Sequence, residues 1–151
     1  MKLRLRDPAN EYLVEPIARA SGFDPLTERL AAAIRQLPQP VRDLAHGVRL
    51  GHPAHPPLTD LPIGFWTAAF MLDFVAPRHG ARVARTLIGL GIVSAIPTIV
   101  TGAVDFSVLD ARDRRVAVVH AGANVLGTGL YAWSWVARWR GRRGFVSSLL
   151  G

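Results

Sequence analysis

Apolar positions are spread unevenly along this chain. Residues 1–56 are charged and punctuated by proline, whereas nearly every long apolar run follows residue 57. Three runs have the length and polarity of membrane spans. Residues 86–104, Thr86 to Val104, hold no ionisable side chain, and about 19 residues at ~1.5 Å each approach the ~30 Å hydrocarbon core of a bilayer. Residues 116–137 contain no Asp, Glu, Lys or Arg and one histidine, His120, and end where Trp133, Trp135 and Trp139 stand beside arginines, the composition of a membrane interface. Residues 58–76 carry Asp60 and Asp73 close to their two ends. A carboxylate at mid-span costs about 2.5–3.5 kcal/mol, and less near an end. The pattern predicts an all-α integral membrane helix bundle of three spans over residues 51–151, preceded by a peripheral, amphipathic helical region over residues 1–50.

Finer patterning adds packing and punctuation. Small residues recur four apart at Gly64 and Ala68, Gly91 and Ala95, Ala117 and Ala121, and Ala123 and Gly127, a spacing that lets helix backbones approach closely in lipid. Pro97 inside the second span predicts a kink and a freed carbonyl in need of a partner. In the N-terminal third, Asp24 caps a helix, Pro25 fits its first turn and Glu28 lies near its positive dipole end. Leu26, Leu30, Ala33, Ile34 and Leu37 then share a face opposite Arg29 and Arg35, and Pro38 and Pro40 end the helix. A second short helix is expected over Val41–Gly47. The leucine face can pack on the bundle, on a partner or on the bilayer interface.

Composition narrows the chemistry. There is no cysteine, which excludes disulfides, thiolate metal sites and cysteine nucleophiles. The basic excess is arginine, with Lys2 the only lysine. Because the arginines cluster beside the apolar runs (Arg78, Arg82 and Arg85; Arg112, Arg114 and Arg115; Arg138, Arg140, Arg142 and Arg143), they read as membrane-flanking charge and exclude nucleic acid as the partner. Met1 to Pro8 carries no apolar core after its charges, so no secretory signal is read there. The carboxyl-terminal arginines favour a cytoplasmic carboxyl end, while Arg112, Arg114 and Arg115 oppose it.

Three spans impose a parity. The start of the first, the end of the second and the start of the third must share one membrane face. That face collects His52, His55, Asp60, Asp105, Arg114, Arg115, His120 and Asn124, with His120 and Asn124 four apart on one helix face. Asp73 belongs to the opposite face, near Arg78 and Arg82.

The block Gly51-His52-Pro53-Ala54-His55-Pro56, continued by Leu58-Thr59-Asp60-Leu61-Pro62-Ile63-Gly64-Phe65-Trp66 and by Leu72-Asp73, resembles the small bacterial membrane proteins of domain-of-unknown-function family 2231. Thr101-Gly102-Ala103-Val104-Asp105-Phe106 and His120-Ala121-x-x-Asn124 add to the resemblance, which covers about residues 40–150. It implies a multi-pass protein of the bacterial cytoplasmic (inner) membrane. Such proteins typically have four spans and are in some cases fused to Rieske iron–sulfur or cytochrome c domains, which implies a place in membrane electron transfer. Phe145-Val146-Ser147-Ser148-Leu149-Leu150-Gly151 reads like the opening of a fourth span and then stops. No Rieske motif is present, since one needs cysteines.

Three functional readings follow. In the first, the chain is a membrane subunit or module of electron transfer. His52, His55 and His120 then hold haem b or a transition metal, and Asp60 or Asp105 joins them as a metal ligand or orients a ring. A redox partner protein or a homo-oligomer would complete the assembly. In the second, it is a non-catalytic scaffold anchoring a partner in the bilayer. In the third, Asp60, Asp73, Asp105 and His120 form a transporter or proton relay, since ionisable groups inside a membrane are functional candidates. For the polar set Asp60, Asp73, Asp105, Arg114, Arg115 and Asn124, the competing reading is mutual structural pairing. Ser94, Ser107 and Ser134 lack a nucleophile elbow, and Gly89-x-Gly91 is mid-span, which argues against hydrolase and phosphate-loop chemistry. The uncharged run from Thr86 to Val104 predicts that the protein fractionates with membranes and resists extraction by high salt or carbonate. Recovery in the soluble fraction without detergent would overturn the fold class.

Overall fold

A computed structural model describes residues 10–77 and 79–141. The readings made on Met1–Pro8, Arg78, Arg142, Arg143 and Phe145–Gly151 lie outside the described residues. The described part is all-α. A π-turn over Asn10–Val14 leads into the short helix α1 (Glu15–Arg19), followed by α2 (Asp24–Arg35), α3 (Gln39–His46), α4 (His55–Val75), α5 (Ala81–Val108) and α6 (Ala111–Trp139).

The long helices start where their sequences permit. Pro56 and Pro57 fall in the first turn of α4, where their missing N–H groups are orphans in any case. Asp110 caps α6 by accepting from the Asp113 N–H at 3.0 Å. The expected span 58–76 ends one residue past α4, and the spans 86–104 and 116–137 sit inside α5 and α6, whose extra turns carry the polar caps.

Two of these helices, His55–Val75 and Ala81–Val108, are long and apolar enough to cross a membrane. Only 17% and 33% of their most apolar stretches are buried within the protein, whereas a soluble core helix would be mostly covered. This is the pattern of a helical membrane bundle, whose apolar surface faces lipid. The third helix, α6, is about 43 Å long at ~1.5 Å per residue but is less apolar. Arg112, Asp113, Arg114 and Arg115 fill its first turn, and His120 and Asn124 follow.

α4 and α5 form a tightly packed antiparallel hairpin. Ala69 and Ala84 are buried to 1% and 0% exposure and, with Ile88, make the core. In lipid, close backbone approach between small residues is what drives such packing. Gly91 is buried beneath Trp66, and a side chain there would overlap the indole. Of the small-residue pairs read in the sequence, Gly91–Ala95 lies in this contact, whereas Gly64 and Gly127 face open space. α6 lies against α5, with Trp135 over Gly89. It reaches α4 through long side chains: Trp66 stacks on Tyr131 at 4.4 Å between centroids, and Arg138 donates to Asp73.

The N-terminal helices cover the end of the bundle formed by the close of α5 and the start of α6. The carboxylate of Asp24, expected to cap α2, does not do so; it accepts from Arg115 instead. Of the settings open to the leucine face of α2, the bundle is not the one it meets. Thr27 and Ala31 are buried, while Leu26, Leu30 and Leu37 stay 50%, 43% and 40% exposed, because ion pairs claim the opposite face. The second short helix runs Gln39–His46, so Pro38 and Pro40 begin it as well as closing α2.

The Asp73–Arg138 pair is the polar tie between α4 and α6, its side chains 10% and 7% exposed. Removing one partner of a buried pair leaves an uncompensated charge. Arg138→Met is therefore expected to cost about 3–5 kcal/mol of unfolding free energy in detergent, and Asp73→Leu in the same chain should recover most of it. A single-variant loss below ~1 kcal/mol, the worth of an exposed pair, would show that the pair is solvated.

Candidate functional site

The polar residues singled out in the sequence concentrate where α4 begins, α5 ends and α6 begins. Proline chemistry organises the centre of this region. Pro62, buried inside α4, has no N–H to give to the carbonyl of Leu58 four residues earlier. Thr98 on α5 supplies the missing donor, its hydroxyl 2.9 Å from the Leu58 oxygen and 3.0 Å from the Ser94 oxygen of its own helix. The sequence predicts a freed carbonyl at Pro97. That residue lies on the exposed face of α5, and the bridge between helices forms at Pro62.

One turn away, the His55 ring enters the α4–α5 seam. Its Nδ1 lies 3.0 Å from the Thr98 carbonyl and 3.3 Å from the Thr101 hydroxyl. A carbonyl only accepts, so Nδ1–H is the donor in this arrangement. Thr101 in turn donates to the helix, with the Pro97 and Thr98 carbonyls both at 3.0 Å. The ring has room because residue 102 is glycine: a methyl group there would stand 2.7 Å from His55 Cε1.

At the edge of this region, His46 at the carboxyl end of α3 pairs with Asp105 on α5, Nδ1 to Oδ1 2.8 Å. The imidazole makes a hydrogen bond when neutral and an ion pair when protonated. A left-handed Gly47 (φ 81°) turns the chain after His46, and a side chain there would run into the His52 carbonyl. His46 is not among the residues that the sequence motifs single out. Its signal was visible: a histidine in the last turn of a helix, just before glycine.

Arginines of α6 and α2 hold the N-terminal helices in place. Arg115 grips Asp24 with two bonds of 2.6 and 2.8 Å and donates a third to the Ala18 carbonyl at 2.7 Å. Arg114 and Arg35 share Glu28 at 2.7 and 2.6 Å, Arg35 reaches the Ser107 carbonyl at 3.0 Å, and Arg112 meets Glu15 at 2.8 Å. Hydrogen bonding to Arg115 holds the Asp24 carboxyl below the usual carboxylate range, and Arg112, then Arg19, do the same for Glu15. Groups shifted this way stabilise docking at neutral pH and lose that contribution as acid titrates them.

The predicted ligand set does not share one point. His52 is exposed in the loop before α4, with Nδ1 3.1 Å from the Pro53 oxygen. Asp60 is exposed on α4. His120 and Asn124 are exposed on α6 and bonded to each other at 2.9 Å. His55 is turned into the seam, and Asp73 lies at the far end with Arg138. Among the described residues, no three His, Asp or Glu side chains converge in a way that could hold a metal ion. His52, His55, Asp60 and His120 thus form no single cluster of three or more metal ligands among the described residues. The sequence parity brought residues to one end; contacts between them depend on which helix face each occupies.

A family model described as a predicted membrane protein (DUF2231) matches residues 51–149. No curated protein and no solved structure matches the chain. The matched stretch holds Pro62, Thr98, His55, Gly102 and Asp105, while His46, Asp24 and Glu28 precede it. Gly102→Ala is expected to displace the His55 ring and cost about 1–3 kcal/mol. His55→Ala should then cost less in the Gly102→Ala chain than alone, giving a coupling of about 0.5–3 kcal/mol in a double-mutant cycle of unfolding. Strictly additive losses would remove His55 from the seam.

Proposed function

Because the chain belongs to the DUF2231 family of predicted membrane proteins, we propose that it is a non-catalytic membrane scaffold. Its three spans, α4, α5 and α6, hold a second unit, residues 1–50, at one face of the bacterial inner membrane. The observation that carries this reading is the occupation of the polar groups. His55 is taken up by Thr98 and Thr101, Asp105 by His46, Asp24 by Arg115 and Asp73 by Arg138. Groups committed to structural partners satisfy one another in an apolar medium and leave little for turnover. A proton relay would need Asp73 unpaired, and Arg138 holds it. The surface that remains for a partner is polar: the loop before α4 with exposed His52, then Asp60 one turn into α4.

The electron-transfer reading draws support from a different observation. The His52 and His120 rings are exposed, so a partner protein or a second copy has access to both. Under that reading the ligand set for haem b or a metal is completed between chains. One preparation separates the two. Purified in mild detergent with its partners retained, the scaffold is expected to be colourless and to carry less than stoichiometric iron, copper or zinc. A Soret band, or one metal per chain that is lost in His52→Ala or His120→Ala while unfolding is unchanged, would overturn the scaffold and establish the redox module.

A further inference from the structure

Both two-faced helices of the N-terminal region are mounted with their polar side inward. On α2 the inward arc is Asp24, Thr27, Ala31 and Arg35, tied to Arg115, Glu28 and the Ser107 carbonyl. Leu26 and Leu30 occupy the opposite arc, 50% and 43% exposed. On α3, Ala45 is buried and His46 reaches Asp105, while Val41 and Leu44 face outward at 44% and 66% exposure. In water an amphipathic helix docks with its apolar stripe on the protein. Two adjacent helices reversed in the same sense call for an apolar medium on the outside.

Their position supplies that medium. Both pack against the close of α5, whose residues Val104 and Ser107 are buried there. At 28 residues, α5 is about 42 Å long at ~1.5 Å per residue, longer than a ~30 Å hydrocarbon core. Its last turns therefore stand at the headgroup level, and α2 and α3 stand beside them. The outward leucines continue the apolar surface that the spans offer to lipid, where Ile99, Val100 and Val108 are 54%, 46% and 63% exposed. Arg29 is exposed at the edge of the leucine arc, where its stem can lie along acyl chains while its guanidinium reaches phosphate.

We propose that residues 23–50 form an interfacial membrane anchor: Leu26, Leu30 and Leu44 enter the headgroup–acyl boundary of the bilayer that holds the spans, and Arg29 reaches lipid phosphate. The inference rests on the membrane reading above and adds that the leucines face lipid and not a docked protein. The ion pairs to Arg114 and Arg115 act as positioning contacts, fixing the helix rotation that turns the leucines outward. The anchor lies outside the stretch matched by the family model, which begins at residue 51.

The absence of cysteine makes single labelling sites simple to install. Leu30→Cys on α2 and Ile96→Cys on the exposed face of α5 are labelled separately with an environment-sensitive fluorophore. Each labelled full chain is reconstituted in phosphatidylcholine–phosphatidylglycerol vesicles whose acyl chains carry bromine at shallow or deep positions. The Leu30→Cys probe is expected to be quenched more strongly by shallow bromine, and the Ile96→Cys probe by deep bromine. Quenching at Ile96→Cys without quenching at Leu30→Cys overturns the anchor and leaves the membrane reading standing. Quenching at neither site overturns the membrane reading itself. A Leu30→Cys probe that is shielded in proportion to protein density, and not by brominated lipid, also overturns the anchor, because a second copy then covers the face.

Discussion

The carbonyl of Leu58 is the point on which the bundle turns. Pro62 removes its helical donor, and in an apolar surrounding an unpaired carbonyl costs several kcal/mol. The hydroxyl of Thr98 answers it from the neighbouring helix, which makes a defect in α4 into a bond between α4 and α5. That bond requires close approach of the two helices, and the approach requires small residues along the seam. Gly91 beneath Trp66 and Gly102 beneath His55 are two places in this seam where a side chain would collide.

Once α4 and α5 are locked, the position of α6 follows. Trp66, held against Gly91, stacks on Tyr131, and Asp73 offers its carboxylate to Arg138. Near that end Arg85 stacks on Trp139 at 4.1 Å, a cation over an aromatic ring where an interfacial residue is expected. At the other end, Arg112, Arg114 and Arg115 leave α6 in a row and meet three carboxylates of the N-terminal helices. Single exposed ion pairs contribute little. Here they act together with the two-pronged Arg115–Asp24 contact, and their main effect is orientation.

The polar chemistry of this protein is thus spent inward. Each carboxylate or imidazole near the seam has a partner that suits its charge and its lone pairs, whereas His52, Asp60, His120 and Asn124 are exposed. The contrast separates residues that hold helices together from residues available to something outside the chain. It also explains why the histidine-rich block before α4 need not be a ligand set: His55 is drawn into the seam, and His52, three residues earlier, stays in the loop.

Hydrophobic periodicity and length were enough, from the sequence, to establish an all-α membrane bundle, because lipid admits only helices or closed barrels and the apolar runs suit helices. Topological parity was enough to bring His55, Asp105, Arg114 and Arg115 to one end and Asp73 to the other. Which of them touch was decided by the tertiary structure, because contact depends on helix rotation and crossing, and these are set by where glycine allows approach. The leucine stripe of α2 shows the same limit from the other side. Its amphipathic pattern was legible from residues 26–37, but a pattern states only that two faces differ. The arginines of α6, far away in sequence, decided that the polar face turns inward and the leucines turn out.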